Sequence, residues 1–316
     1  MVGWKTNQLF FFMSRRYDIP RLLFLSSAAV STLVVLLIFG FIFLTAAPVF
    51  EKEGVGFITG TTWSYSAGDY GILVFLVGTI VLTAVTMVIA CPLGIFTAIF
   101  LAEWAPVWLE KMLRPLIELL VGIPSVVYGI FGYFVLEGVF RYHIDPFIDA
   151  TLGFIPIFRD PNPGSGTGIL LAATVLAIMI LPTLTTLAQE AMRSVPSDYR
   201  EGSFALGATR WETIRMVVIP IATPGILTGI ILGLMRAMGE TMAVVMLIGN
   251  TSRFPSSILD TGYVMTSKVF NDIGYWVAVD EARSALFGIA AVLFCLEIVF
   301  VGLIRFAEKR LNPERR

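Results

Sequence analysis

SVPSDYREGSFALGATRWETIRMVVIP, residues 194–220, is a polar segment between two long apolar runs of the chain. Asp198, followed three residues later by a glutamate, fits a helix start, and Thr209 with Glu212 fits a capping box at a second helix start. Gly207 lies between them, where a left-handed residue would end the first helix. The segment is therefore predicted to form a helix, a corner and a second helix. Two separately capped helices are more than a linker requires, so we expect a docking surface for a partner protein rather than a cap over the bundle.

The composition places this segment in a membrane protein. Hydrophobic residues make up 57% of the 316 residues and charged residues 14%, against roughly 25% charged residues in an average soluble domain. The formal net charge of −1 gives no electrostatic footprint for nucleic acid. Cys91 and Cys295 both lie in apolar runs, where cysteines behave as small hydrophobic residues, so neither disulfides nor redox chemistry is expected.

Long apolar runs predict an all-α integral membrane protein. About 20 helical residues cross the roughly 30 Å of bilayer hydrocarbon. Six runs reach that length: 22–47, 71–102, 116–140, 168–189, 221–248 and 284–306. When Arg305 at the end of the sixth run is counted with the C-terminus, the two termini and the loops 103–115 and 190–220 carry 15 Lys and Arg residues, whereas the other three loops carry six. The positive-inside rule therefore predicts that both termini and the docking segment are cytoplasmic.

These boundaries divide the chain into three parts. Residues 1–21 are predicted to be a cytoplasmic N-terminal segment, 22–306 a transmembrane domain with cytoplasmic helices at about 197–217, and 307–316 a cytoplasmic tail. The first apolar run is too long for a cleaved signal peptide, so we expect it to be retained as a span.

The fifth apolar run carries a stripe of small residues. They stand at every fourth position: Gly225, Gly229, Gly233, Ala237 and Thr241. Such a stripe lets two helices approach closely. Its partner could be another helix of the same chain or a second subunit around a pore, and the spacing favours neither.

Arg236 and Glu240 place charges of both signs inside the same run. A charge near the centre of a spanning helix costs about 2.5–3.5 kcal/mol on insertion scales. One interpretation is an Arg236–Glu240 ion pair on one helix face that anchors packing, although Arg before Glu is the weaker order for such a pair. The other is a substrate path, in which Arg236 binds an oxyanion and Glu240 accepts a hydrogen bond from a protonated oxygen of the substrate. Charges inside a membrane are functional by default, which favours the second interpretation.

Other polar side chains are not predicted to form a site. His143, Asp145 and Asp149 lie close in sequence, but one histidine with two loop carboxylates is a weak metal signal. Glu297, inside the sixth run, is expected to form an interhelical hydrogen bond, with pore lining as the alternative. No residue pattern indicates a catalytic, metal or cofactor site.

Three residues of the docking segment match a known motif. Glu201, Gly207 and Pro220 stand at the spacing of the EAA motif of ABC-importer permeases, whose motif helix docks into the ATPase subunit. The chain departs from the motif with Gly202 and Ser203 in place of two alanines, but both residues are small. The resemblance therefore implies that Glu201, Gly207 and Pro220 couple this chain to an ATPase.

The resemblance extends over roughly residues 70–306. Four stretches are similar to the permeases of phosphate-specific ABC importers: YREGSFALGATRWETI (199–214), GLMRAMGETMAV (233–244), GIPSVVYGIFGYFVL (122–136) and PLGIFTAIFLAEWAP (92–106). GETMAV at 239–244 is similar to the PstC type of these subunits rather than to its PstA partner. The resemblance implies an ABC importer type I permease fold and a role in transport for Arg236 and Glu240.

The resemblance also implies partners and a substrate. A permease of this kind imports phosphate with a second, homologous permease of the PstA type, two copies of a cytoplasmic ATP-binding subunit and an extracytoplasmic phosphate-binding protein, and it has no cofactor. None of the five lysines follows a glycine, so the Gly-Lys-Ser/Thr of a Walker A loop is absent and the chain is expected to be a transport subunit, not an enzyme. The alternatives are a permease for another oxyanion, such as molybdate or sulfate, and a membrane enzyme acting on lipid phosphates. The enzyme would need convergent acids, bases or metal ligands near one interface.

Overall fold

The computed structural model describes residues 19–311, so most of the predicted N-terminal segment and the last five residues lie outside the described part. Residues Trp63–Ser64 (β1) and Asp69–Tyr70 (β2) form an antiparallel hairpin. The α-helices are α1 Ile19–Glu53, α2 Gly56–Thr59, α3 Leu73–Ile99, α4 Val107–Gly122, α5 Ser125–Phe131, α6 Glu137–Val139, α7 Asp145–Leu152, α8 Ile169–Arg193, α9 Ser197–Ala205, α10 Arg210–Thr213, α11 Ile219–Gly239, α12 Met242–Leu247, α13 Met265–Trp276 and α14 Asp280–Leu311. Shorter helical turns are Phe100–Trp104, Gly132–Leu136, Phe140–Ile144, Pro156–Phe158 and Ile214–Val218.

Five helical stretches of residues 19–311 are long and apolar enough to cross a membrane. A sixth span results if two consecutive helices with a bend between them count as one. The five are Pro20–Glu53, Leu73–Trp104, Ile169–Arg193, Arg210–Gly239 and Asp280–Phe306. The bent pair is Val107–Gly122 with Ser125–Leu152. The mostly helical membrane architecture predicted from the sequence is therefore confirmed, while two of the six predicted runs differ in shape.

The third predicted run, 116–140, is not one straight helix. α4 ends at Gly122, Ile123 and Pro124 have extended backbone, and α5 begins at Ser125. A residue before proline is displaced from the helical region because the proline ring clashes with its backbone and Cβ. The Ile-Pro step therefore explains the 95° bend between the two helices.

The fifth predicted run, 221–248, is also interrupted. α11 ends at Gly239, Glu240 is extended with φ −68° and ψ 129°, and the short helix α12 follows. The Thr266 hydroxyl donates to the Glu240 carbonyl oxygen at 3.0 Å, so a distant residue satisfies this backbone group at the break. Arg236 therefore lies in the last turn of α11 and not in the middle of a longer helix.

α8 forms the centre of the bundle. Its side chains Leu176, Met179, Ile180 and Leu184 are fully buried, and the helix packs against both α3 and α11. The approach to α3 is close, since a Cβ atom on Gly94 would lie 2.4 Å from Leu184 Cδ2. Only glycine fits at that position without a shift of the leucine.

The small-residue stripe of α11 packs against α8. A Cβ atom on Gly225 would lie 2.4 Å from Ala191 Cβ, and one on Gly229 would lie 3.2 Å from Leu187 Cβ. The atoms nearest to a Cβ on Gly233 also belong to α8. Of the two partners that the spacing left open, the structure selects a helix of the same chain for these three glycines.

The bundle has two ends, which we name after the helices found there. The α9 end consists of residues 100–122 and 190–218, and the α13 end of residues 54–72 and 249–280. α3, α8 and α11 connect the two ends.

A buried ion pair fixes α13. Lys268 Nζ lies 2.6 Å from Asp272 Oδ2, and the Tyr65 hydroxyl donates to the same oxygen at 2.5 Å. Burial and the hydrogen bond to Asp272 raise the pKa of Tyr65, which therefore remains a donor. Four rings have their centres 5.0–5.6 Å from the ammonium group: Trp63, Tyr65, Phe75 and Tyr263. Because Thr266 lies in the first turn of α13, this pair also holds the residue that bonds Glu240.

Candidate transport and docking sites

Arg236 is half-buried in the last turn of α11. Tyr128 of α5 lies near Arg236, and the Tyr128 hydroxyl donates to the Leu120 carbonyl oxygen at 2.9 Å. Within the described residues, Arg236 is not among the arginines that form ion pairs. Its guanidinium group therefore remains available to an anion.

Glu240 lies at the break between α11 and α12 and is half-buried. Its Oε1 accepts a 3.4 Å hydrogen bond from the Ala243 backbone amide. The ion pair of Arg236 and Glu240 on one helix face is not formed, because α11 ends before Glu240 and the i,i+4 geometry is lost. The packing interpretation of these two charges is therefore wrong, and the two side chains lie separately beside the break.

Glu297 of α14 also reaches the break. Its Oε1 lies 3.8 Å from the place where a Cβ atom on Gly239 would stand, and its side chain is half-buried. The interhelical hydrogen bond predicted for Glu297 is not formed in the part of the chain that the structure describes. Its charge within an apolar run was visible in the sequence, but its contact with Gly239 depends on the packing of α14. Three charged side chains therefore lie around the end of α11: Arg236, Glu240 and Glu297.

The docking segment folds as a helix, a corner and a second helix. Gly207 has φ +85°, the left-handed conformation predicted for the corner. Thr209 and Glu212 form the predicted capping box at the start of α10. Asp198 does not cap α9, which begins one residue earlier after the extended Pro196 and has no side-chain cap. The predicted shape is confirmed, and the predicted first cap is wrong.

The surface of the docking segment is apolar and open. Four large side chains are at least 47% exposed: Tyr199, Phe204, Leu206 and Trp211. Glu201, Gly207 and Pro220 are also exposed, with Pro220 in the first turn of α11. A cluster of exposed large apolar side chains marks a surface for another protein or a membrane. The structure thus brings the three motif residues onto one accessible segment.

Residues 90–313 match a protein family described as the binding-protein-dependent transport system inner membrane component. The matched range includes the docking segment and the break after α11. The chain belongs to this family. It is therefore a multi-pass permease subunit of a transporter and not an enzyme, which removes the membrane enzyme that the sequence left as an alternative. Within residues 19–311, no group of three or more His, Cys, Asp or Glu side chains could hold a metal ion.

Named relatives of the permease cover most of its length. It is 41% identical over 258 residues to the probable ABC transporter permease protein YqgH of Bacillus subtilis, which covers 81% of this chain and 78% of the relative. It is 38% identical over 264 residues to the phosphate transport system permease protein PstC of Xylella fastidiosa, with 83% and 81% covered. It is 35% identical over 289 residues to the probable phosphate transport system permease protein PstC of Methanocaldococcus jannaschii, with 90% and 91% covered.

Solved structures share the fold of the permease. A chain of a bacterial ABC transporter involved in the import of the acidic polysaccharide alginate has a TM-score of 0.58 at 17% identity, over 95% of this chain and 98% of that chain. A bacterial alginate ABC transporter in complex with an alginate pentasaccharide-bound periplasmic protein gives 0.60 at 16% identity, over 93% and 96%. At these identities the likeness concerns the fold alone, and it confirms the fold of an ABC-importer permease.

Proposed function

We propose that this permease forms part of the path by which inorganic phosphate is imported across the cell membrane. The observation that carries the proposal is Arg236, a half-buried guanidinium at the end of α11 that forms no ion pair within residues 19–311. Relatives that are 38% and 35% identical and are named phosphate transport system permease proteins support phosphate as the substrate.

The charges beside the break suit a protonated oxyanion. The guanidinium group of Arg236 presents a planar fork of N–H donors that matches a phosphate group. Phosphate near neutral pH retains at least one P–OH group, and Glu240 has an oxygen free to accept a hydrogen bond from it, since the Ala243 amide engages only Oε1. Fully ionised sulfate carries no such proton. The pair therefore favours phosphate over sulfate.

The α9 end lies in the cytoplasm in this proposal, together with both termini, and the chain crosses the membrane six times. The excess of 15 Lys and Arg residues over six supports this orientation. Glu201, Gly207 and Pro220 then contact a cytoplasmic ATP-binding subunit. A second, homologous permease of the PstA type offers an equivalent surface, which accounts for two copies of that subunit.

The α13 end faces an extracytoplasmic phosphate-binding protein. The family description supports such a partner, because it refers to a binding-protein-dependent system. Two loops on this side of the bundle meet at an open cleft lined by Phe154, Arg159, Asp160 and Ser256. Its mixed polar lining suits a transient contact with a soluble protein.

Uptake of radiolabelled phosphate tests the substrate. Proteoliposomes containing both permeases and the ATPase, with ATP and the binding protein supplied on opposite sides, should take up phosphate only with ATP. We expect an excess of sulfate or molybdate to leave this uptake unchanged. Strong competition by either anion would instead assign the permease to another oxyanion.

Arg236→Leu tests the path. We expect uptake to fall at least about 30-fold, because truncating one partner of a desolvated charge contact costs about 2–5 kcal/mol. The complex should still assemble and hydrolyse ATP, as measured by co-purification of the ATPase and by phosphate release. Arg236→Lys is the matched control, since it keeps the charge but not the fork and should retain part of the uptake. Normal uptake by Arg236→Leu would contradict the proposed path.

A further inference from the structure

Arg200 joins α9 to the rest of the bundle. Its Nη2 donates to Glu103 Oε1 at 2.9 Å and to the Met192 carbonyl oxygen at 2.8 Å, and its Nη1 donates to the Val195 carbonyl oxygen at 2.5 Å. Carbonyl groups at a helix C-terminus attract a cation because the helix dipole is negative there. One guanidinium group therefore joins α9 to the C-terminal end of α8 and to the carboxylate of Glu103.

Both helices of the docking segment form hydrogen bonds to Glu103. It lies in the turn Phe100–Trp104, which ends the second span. Arg210, at the start of α10, donates to the Glu103 backbone carbonyl. The rings of Trp104 and Trp211 lie 6.3 Å apart beside this contact. Both docking helices are thus bonded to the turn that follows α3, at Glu103.

The Glu103–Arg200 pair is largely buried from solvent, while the face of α9 that carries Glu201 is exposed. The Arg200 side chain is 21% exposed and the Glu103 side chain 10%, and the two carbonyl-bearing residues of α8 and its end are buried. Glu201, the next residue along α9, is exposed. Separating a shielded pair leaves each charge uncompensated, which is unfavourable. A force that displaces α9 is therefore expected to displace Glu103 and the end of α8 as well, rather than to break the pair.

The other ion pairs at this end leave α9 out. Arg193 lies 2.5 Å from Glu110, and Arg114 lies 3.6 Å from Glu190. Both pairs join α4 to the end of α8. In the part of the chain that the structure describes, the Glu103–Arg200 pair is the one ion pair that includes a residue of α9.

We propose that the Glu103–Arg200 pair transmits the movement of α9 to α3 and α8 during transport, which makes both residues positioning residues for energy coupling. The inference rests on the proposed function, because it takes α9 as the surface that the ATPase moves. When α9 moves, the guanidinium group draws Glu103 and the end of α8 with it. Since α8 packs closely against α11, whose last turn carries Arg236, the displacement reaches the substrate path.

Glu103→Gln tests the pair directly, because it removes the carboxylate charge and leaves the carbonyl bonds of Arg200 in place. In the reconstituted complex of two permeases, ATPase and binding protein, we expect normal co-purification of the ATPase and continued ATP hydrolysis. Phosphate taken up per ATP hydrolysed should fall at least about fivefold, the lower end of usual coupling effects. This ratio does not depend on how much complex is present, so a loss of stability alone does not change it.

Glu110→Gln is the matched control. It removes the Glu110–Arg193 ion pair at the same end of the bundle but leaves α9 untouched, so the ratio should stay at the wild-type value. A wild-type ratio in Glu103→Gln overturns the inference. An equal loss in Glu110→Gln also overturns it, since the effect would then be a general weakening of this end.

Arg200→Lys supplies the test if the Glu103→Gln complex does not assemble. The lysine keeps a positive charge opposite Glu103 and releases at least one of the two carbonyl groups, so we expect most of the coupling to remain. A ratio as low as that expected without the pair would show that the carbonyl bonds, and not the ion pair, connect α9 to the bundle.

Failure of the proposed function gives a different result. The wild-type complex then shows no ATP-dependent phosphate uptake or no bound ATPase, and the inference falls with it. Where the wild type imports phosphate and Glu103→Gln keeps the same uptake per ATP, the inference alone fails.

Discussion

Arg236 and Lys268 are two cations that the same chain holds in opposite ways. Lys268 is buried, lies 2.6 Å from Asp272 and is surrounded by aromatic rings. Arg236 stands in the last turn of a span without an ion-pair partner among the described residues, although a charged side chain inside a membrane is unfavourable. A side chain kept for packing would be expected to have a counter-charge, as Lys268 does. The contrast favours ligand binding for Arg236 and a structural role for Lys268.

Lys268→Met should destabilise the permease. Removing one partner of a buried pair costs about 3–5 kcal/mol, because the other charge stays buried without compensation. Here that charge belongs to Asp272, whose side chain is 16% exposed. Thermal unfolding of the purified permease measures the effect. Lys111→Met, at an exposed lysine of α4, is the control and should leave the unfolding temperature unchanged.

The double variant Lys268→Met/Asp272→Leu separates the charge effect from the loss of packing. Replacing a whole buried pair by apolar residues is often neutral, so much of the stability should return. If the double variant is less stable than Lys268→Met alone, the carboxylate of Asp272 stabilises α13 through Tyr65 and not through the lysine.

At the scale of helices, the sequence predicted the parts whose signals are local. The corner at Gly207 and the capping box of Thr209 with Glu212 each depend on residues within one turn, and both were found as predicted. The end of α11 at Gly239 was missed because the apolar run continues through α12, so hydrophobicity alone indicates one helix. The bond that satisfies the break comes from Thr266, which lies 26 residues further along the chain.

Some residues of the candidate sites could likewise be predicted from local sequence, whereas others depend on tertiary packing. Arg236 and Glu240 could be named from the sequence because a charge inside an apolar run is conspicuous by itself. The contact of Glu297 with Gly239 and the pair of Arg200 with Glu103, 97 residues apart, depend on tertiary packing that a single sequence does not encode locally. The bend at Pro124 is an intermediate case, since a proline inside the apolar run predicts a bent helix but does not give the 95° angle, which depends on packing.

Gly207→Ala should weaken the docking of the ATPase. A non-glycine residue in the left-handed conformation costs roughly 1–2 kcal/mol, so a relaxed corner should lower ATPase affinity about 5–30-fold. No atom within 4 Å obstructs a Cβ at this position, so the effect is one of backbone strain alone. Titration of the permease complex with the purified ATPase measures the affinity.

Gly202→Ala provides the matched control for the corner. Gly202 is also free of neighbours within 4 Å, but its φ is not positive, and alanine is the better helix former inside α9. Wild-type affinity or tighter binding is therefore expected. Equal weakening by both substitutions would mean that any added methyl group disturbs the docked surface, and the argument from backbone conformation would fail.

The molecule as a whole has two chemically different ends joined by closely packed helices. The α9 end combines an open apolar segment with ion pairs that join α4 and α9 to the bundle. The α13 end has a hairpin and a buried lysine that hold α13 against the first turn of α3. An ATPase-driven importer takes up its substrate on the side of the membrane opposite to its ATPase. In the orientation proposed above, the α13 end and the α9 end supply these two sides, and α8 with α11 connects them.

Opposite exposure of these ends can be measured with cysteine labelling. Leu206, 91% exposed at the α9 end, and Tyr275, 84% exposed at the α13 end, accept a cysteine without disturbing the core. In a background with Cys91→Ala and Cys295→Ala, a membrane-impermeant maleimide applied to intact cells should label Tyr275→Cys. Leu206→Cys should be labelled only after the membrane is permeabilised, and bound ATPase should protect it. Labelling of Leu206→Cys in intact cells would reverse the orientation and place the docking segment where no cytoplasmic ATPase can reach it.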